Sequence, residues 1–342
     1  MRATPPVARP GALNLITDVP GLKVGQAENA AVRTGVTVIL PDDRAVCACD
    51  VRGGAPGTRE TDALAPETLV EAVDAVVLSG GSVYGLAAAD GVAAWLGARG
   101  RGYVVAPGIP PSPVVPAAIL FDMANGGDKA WGEDPPYREL GKAAVAAASD
   151  RFVLGAAGAG FGAMAGVLKG GIGSASAVTG DGLSVGAIVA VNCWGSVTAP
   201  GGRTFWAAPY EIDGEFGGLG PGGLTAAPDD WGLSKAPAGG RNTTIACVAV
   251  DVALTPAQAK RVAIMAQDGL ARAIRPLHAP FDGDVVFAVS TARQPCPAPV
   301  DYTVARLGAL AADTLARAVA RGVFEASGWA ASGVRAWRDL GD

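Results

Sequence analysis

Four stretches of the chain are apolar at every position rather than at alternate ones: 75–78, 187–191, 245–250 and 285–289. Successive side chains of a strand point to opposite faces, so a strand that is apolar throughout must be covered on both. Two sheets with solvent outside would show polar alternation. These runs call instead for sheets packed on each other and covered again on their outer faces. Amphipathic helices supply that cover. Thr255-Pro256-Ala257-Gln258 reads as a helix start, with Thr as N-cap, Pro at the first position and Gln three residues on. Val262, Ala266, Leu270 and Ile274 then recur every four residues. A helix of about 302–322 carries Val304, Leu307, Ala311, Leu315 and Ala318 as core candidates. Others are expected at roughly 137–149 and after residue 85, where Leu86, Val92, Ala93 and Leu96 form the apolar set. The expected fold class is α+β, a four-layer αββα sandwich.

Composition permits such a core, because 50% of residues are hydrophobic and 17% charged. The net charge of −5 comes without any basic block, which argues against nucleic acid or an anionic membrane as partner. The five cysteines are Cys47, Cys49, Cys193, Cys247 and Cys296. Their odd number and the lack of zinc-type spacing read as reduced, mostly buried thiols, with Cys47 and Cys49 on one face of a strand. The start, Met1-Arg2-Ala3-Thr4-Pro5-Pro6, has no apolar signal core, and no run reaches membrane-spanning length, so the expected location is cytoplasmic.

Further strands are expected at 36–40, 45–49, 103–106 and 117–121. Ser79-Gly80-Gly81-Ser82, between a strand and a helix, could present amides to an anion. It lacks both the phosphate-loop and dinucleotide fingerprints, so nucleotide binding is disfavoured and no cofactor is expected. Tyr84 follows, placed to reach a pocket or to pack. Arg52, in the Gly- and Pro-rich loop Val51–Thr58, could bind a carboxylate, with a solvated arginine as the simpler reading. Lys169 is the only cation between Arg151 and Arg203, amid small apolar residues. Burial penalises its charge, so it lies at the surface or is held for a purpose.

Gly182-Leu183-Ser184-Val185-Gly186 matches the Gly-x-Ser-x-Gly nucleophile elbow, which needs a strand before the serine and a helix after it. Here a turn precedes and a strand follows, so the match reads as a hairpin. That strand ends at Asn192, an amide side chain expected at a sheet edge, where it could donate to an oxyanion or stabilise a turn. Residues 199–241 form a long irregular segment containing Trp206 and Trp231. It closes on Gly239-Gly240-Arg241-Asn242-Thr243-Thr244, where flexible chain enters an apolar strand. A hydroxyl at such a junction is placed to attack its own preceding peptide bond. Cleavage of Asn242–Thr243 would give Thr243 a free α-amine beside its hydroxyl, a nucleophile with its own base. The alternative is an ordinary Asn-Thr turn. The only histidine, His278, lies in a loop ahead of Asp282-Gly283-Asp284. These two carboxylates could share a face and hold an amine or a metal, or simply be solvated.

Taken in order, Ile16-Thr17-Asp18-Val19-Pro20-Gly21-Leu22-Lys23-Val24-Gly25, Val51-Arg52-Gly53-Gly54, the stretch Leu78–Leu86, Lys169-Gly170-Gly171-Ile172-Gly173, Asn242-Thr243-Thr244-Ile245 and Asp282-Gly283-Asp284 resemble the L-aminopeptidase/D-esterase family. That family includes β-aminopeptidases and nylon-oligomer (6-aminohexanoate) hydrolases. The resemblance implies an N-terminal-nucleophile fold forming one domain over 1–342, self-cleaved into 1–242 and 243–342. It also implies a homo-oligomer, commonly a tetramer, acting on small amide or peptide substrates without a metal. It makes Thr243 the nucleophile released after Asn242 and Asn192 the oxyanion support. Lys169 and Tyr84 match pocket positions, and Asp282 and Asp284 the acidic pair. Threonine with Asp-x-Asp is nearer the nylon-hydrolase side, since some members carry serine with Ser-x-Glu. Three alternatives stay open: acyl transfer like that of ornithine acetyltransferases, a serine esterase built on Ser184 and His278, and a non-enzymatic binding scaffold.

Overall fold

A computed structural model describes residues 7–236, 242–329 and 333–341. Its strands in chain order are β1 (Leu22–Asn29), β2 (Thr34–Pro41), β3 (Val46–Val51), β4 (Thr58–Arg59), β5 (Val76–Ser79), β6 (Ala117–Ile119), β7 (Met164–Ala165), β8 (Leu168–Lys169), β9 (Gly171–Val178), β10 (Ser184–Asn192), β11 (Thr243–Val252) and β12 (Val285–Gln294). The helices are α1 (Ala87–Gly97), α2 (Tyr137–Ala146), α3 (Pro256–Ala273) and α4 (Val300–Phe324). One five-stranded sheet has the order β1-β2-β5-β6-β4 and the other β3-β12-β11-β10-β9.

Three cores separate four layers. Ile39, Val76, Leu78, Ile188, Ile245, Cys247, Val285 and Phe287 interdigitate between the two sheets. Their sequence neighbours turn the other way. Val38 and Val77 meet Val92, Leu96 and Val145 of α1 and α2. Val189, Val248 and Val286 meet Val262, Leu270, Leu307 and Leu315 of α3 and α4. A period of two with both phases apolar is how a strand reads when it lies between layers. The αββα expectation is met, and the all-apolar runs are its cause. Cys47 and Cys49 share the intersheet face, as their spacing required.

The long helices match their patterns. Thr255 and Gln258 form a reciprocal capping box at the start of α3, and Val304, Leu307, Ala311, Leu315 and Ala318 are all buried on α4. Two expectations need correction. The strand at 103–106 does not form; Tyr103 makes only an isolated bridge to Ser112. Its partner stretch, 107–116, contains five prolines, which have no N–H to give a ladder. Asn192 is not at a sheet edge, because β10 runs between β9 and β11. The arm Met1–Pro6 and the approach Gly239-Gly240-Arg241 lie outside the described residues. Among the described residues no helix is long and apolar enough to cross a membrane.

Phe287 is fully buried between the sheets. Phe287→Ala is expected to destabilise the fold by about 3–5 kcal/mol. Urea unfolding followed by circular dichroism should show a lowered midpoint with unchanged slope.

Candidate active site

β11 pairs antiparallel with β10 and parallel with β12, and the register brings three ends together. Asn192, the last residue of β10, lies opposite Thr243, the first of β11. Ile245 lies opposite Val285, the first residue of β12, so Asp284 comes level with Thr244. The Asp284 carboxylate accepts from Thr244 N at 2.7 Å, from His278 N at 3.1 Å, and meets His278 Nδ1 at 2.8 Å.

The Val51–Ala55 loop fixes this turn from outside. Arg52 N and Gly53 N donate to Asp284 O, and Ala55 N donates to Asp282 O at 2.7 Å. Glycine is required at 53, since a Cβ there would fall 2.2 Å from Asp284 N. It is also required at 283, where a Cβ would stand 2.7 Å from Thr243 Oγ1. The Asp-Gly-Asp turn therefore lies directly against the Thr243 hydroxyl. The Arg52 side chain turns away from this junction's backbone contacts and pairs with Asp50 at 2.7 Å.

Thr243 is 4% exposed, and its Oγ1 hydrogen-bonds the carbonyl oxygen of Asn242. Among the described residues, both side-chain polar atoms of Asn242 are buried without a hydrogen-bond partner, as is Asp282 Oδ1. The other oxygen of Asp282 accepts from Ala279 N at 3.0 Å. Burial, with the charge of Asp284 added, raises the Asp282 carboxyl to about 6.

A cavity of about 390 Å³ opens beside this junction, lined by Phe121, Asp122, Asn125, Met164, Val167, Asn192 and Lys235 among others. Asn192 Oδ1 accepts from Met164 N at 2.9 Å, and its Nδ2 donates to Phe121 O at 3.1 Å. Lys235 Nζ donates to Asn192 O at 3.2 Å. Burial lowers the Lys235 ammonium to about 8, against the pull of Cys193 and Asp282.

Lys169 is fully buried and does not line this cavity. Its Nζ donates to the carbonyls of Gly160, Ala163 and Gly170 at 2.7–3.0 Å, which matches the three hydrogens of an ammonium. It braces the turn that leads to Met164 and, through it, Asn192. Tyr84 stands apart, 47% exposed and edge-on to Trp131, and does not line the cavity. The amide cradle expected at Gly80–Gly81 is filled from within: Gly81 N donates to Asp122 Oδ1 at 2.7 Å. Ser184 begins β10 while Asn192 ends it, roughly 26 Å away at the usual rise. His278 sits at the Asn192 end through Asp284, so a Ser184–His278 pair is ruled out by geometry.

Sequence reasoning missed Asp122 and Lys235. Neither belongs to a motif, and each enters the site across long separations, Asp122 through Thr34 and Gly81 and Lys235 through Asn192. Their signal was faint: an isolated acid after an apolar strand and a lone lysine in the irregular segment.

The sequence profile of peptidase family S58 matches residues 14–335. An uncharacterized aminopeptidase of Mycobacterium tuberculosis is 43% identical, over 96% of this chain and 98% of the relative. A 6-aminohexanoate-oligomer endohydrolase of Kocuria sp. is 29% identical, over 84% of this chain and 77% of that protein. Identity is thus higher to a protein named as an aminopeptidase than to a nylon-oligomer hydrolase. Among solved structures, the L-aminopeptidase D-Ala-esterase/amidase of Ochrobactrum anthropi, described as a variant of the Ntn hydrolase fold, superposes with a TM-score of 0.68. Identity there is 22%, over 93% of this chain and 88% of the other. A Burkholderia sp. β-aminopeptidase superposes at 0.66 with 23% identity, over 94% and 90%.

The charge state of Lys169 is open to a pH experiment. Burial brings its pKa down from the usual lysine range to about 7. A depressed lysine contributes stability above its unfolded pKa that is lost as pH falls toward the folded one. Wild type is therefore expected to lose stability relative to Lys169→Met between pH 10 and pH 7, and the difference to level off below. Urea midpoints of both proteins across that range provide the measurement.

Proposed function

The chain belongs to peptidase family S58, and on that premise we propose that it is a self-processing amide hydrolase whose nucleophile is Thr243. Hydrolysis of amide bonds follows from the family; the identity and origin of the nucleophile are our reading. One observation carries it: a buried threonine hydroxyl hydrogen-bonded to the carbonyl of the residue before it, beside a cavity.

In the processing step Thr243 Oγ1 attacks the carbonyl carbon of Asn242. The C–N bond breaks, the α-amine of Thr243 takes the proton, and an ester joins the two residues. Water opens the ester, leaving 1–242 and 243–342 as two subunits of one folded domain. In turnover the α-amine accepts the Oγ1 proton as the hydroxyl attacks a substrate amide, then passes it to the leaving amine. Water releases the acyl group. Asn192, paired with Thr243 across the sheet, supplies the amide that stabilises the oxyanion. Asp284 holds the Thr244 amide, and Asp282 faces the newly formed α-ammonium. Lys169 keeps the floor of the site in place.

The substrate is a peptide, an amino-acid amide or an oligoamide of the 6-aminohexanoate kind. Both kinds of relative are named for cleavage of bonds of this class, the first as an uncharacterized aminopeptidase. Cleaved heterodimers assemble into a tetramer in the cytoplasm.

Intact-mass spectrometry of purified wild type should find two chains divided between Asn242 and Thr243, and a single chain for Thr243→Ala. Amide hydrolysis by that variant should fall on the order of 10⁴-fold or more. A wild type that is one full-length, fully active chain would sink the proposal. Gly283→Ala, which pushes a methyl group toward Oγ1, should slow both processing and turnover, by about 10²-fold for a displacement near 1 Å.

A further inference from the structure

The cavity beside Asn192 has a neighbour across Asn125. A second cavity of about 420 Å³ shares three of its walls, Ala124, Asn125 and Met164, and is completed by Arg33, Trp329 and Val334 among others. The two cavities adjoin across these residues, which sets Arg33 on the far side of Asn125 and Met164 from Asn192.

Arg33 is held there with some precision. Its guanidinium lies 4.8 Å from the centroid of the Trp329 ring. Its Nη1 donates to Asn125 O at 2.8 Å, while Asn125 Nδ2 donates back to Arg33 O. Its backbone sits at φ 55°, a left-handed conformation that non-glycine residues adopt at a cost. Among the described residues it forms no ion pair. A guanidinium has five N–H donors in a planar fork, and the Asn125 carbonyl engages one nitrogen.

Two lysine side chains lie close by. Lys169 approaches the same Trp329 ring at 5.0 Å, and Lys129 Nζ reaches Asn125 Oδ1 at 3.1 Å. The opposing acids are Asp122, whose two oxygens accept from Thr34 Oγ1 and Gly81 N, and Asp128, which with Asp122 acts on Lys129. An arginine stacked on an aromatic ring and lacking a carboxylate partner among the described residues can receive one, because its fork matches the two oxygens of a carboxylate.

We propose that the Arg33–Trp329 cavity is a second subsite that takes the free carboxylate end of an extended amide substrate. This rests on the reading of the first cavity as the place where an amide is cleaved. It narrows the substrate class to short linear chains ending in a carboxylate, and it disfavours single amino-acid amides and capped chains.

The experiment uses wild-type protein with two probes, linear 6-aminohexanoate trimer and trialanine, each as free acid and as C-terminal carboxamide. Both kcat/KM and the quenching of tryptophan fluorescence are read. Wild type is expected to prefer the free acid by at least about tenfold on the probe that it turns over. That ratio should fall to near one in Arg33→Gln and to an intermediate value in Arg33→Lys, which keeps the charge but loses the fork. The fluorescence titration should show the same order of Kd. A wild type that handles acid and carboxamide equally overturns the subsite, and so does an Arg33→Gln protein that keeps the wild-type ratio. If Arg33→Gln does not fold, the wild-type and Arg33→Lys ratios decide. Intact mass of the same wild-type preparation separates the two ideas: cleaved, active protein with a ratio of one sinks the subsite alone. Uncleaved, inactive protein sinks the reading beneath it as well.

Discussion

A strand covered on both faces leaves little room for polar side chains except at its ends. β10, β11 and the first half of β12 are buried along their length, between the opposite sheet and the α3–α4 layer. Their functional groups are accordingly terminal: Asn192 closes β10, Thr243 and Thr244 open β11, and Asp284 immediately precedes β12. Antiparallel pairing of β10 with β11 and parallel pairing of β11 with β12 put all of these ends on one side of the sheet. The same dryness that stabilises the layers removes water from the hydroxyl, the amide and the carboxylates. It also raises the Asp282 carboxyl and lowers both lysines near the site.

Backbone groups do much of the positioning. The Val51–Ala55 loop holds the Asp282–Asp284 turn by main-chain hydrogen bonds, and Lys169 ties three carbonyls of one bend together. Such contacts depend on chain geometry more than on side-chain identity. A turn can therefore press against Thr243 only where residue 283 has no Cβ. The cavity walls, by contrast, are side chains from distant segments.

Much of the fold was legible because each signal was local. The capping box at Thr255, the four-residue repeats of α3 and α4, and the doubly apolar strands each express a steric or burial requirement within a dozen residues. The strand expected at 103–106 failed for a reason that lies in its partner, since the prolines of 107–116 could not complete a ladder. Asn192 was expected at a sheet edge because one strand's pattern does not say how many neighbours it has. Ser184 and His278 were individually plausible, yet they lie at opposite ends of the sheet.

The sequence by itself determined the layering, the places of the long helices and the strand start at Asn242–Thr243, since burial on two faces and a polar residue at a strand start are written in consecutive residues. Only the tertiary structure decided which groups meet there. Asn192, Thr243 and Asp284 are separated by dozens of residues and joined by strand register, while Asp122, Lys235 and Arg33 reach the cavities through contacts that no local pattern encodes. Register is a property of pairs of strands, and a cavity is what remains when all the layers have packed. Both are settled only when the whole chain is in place.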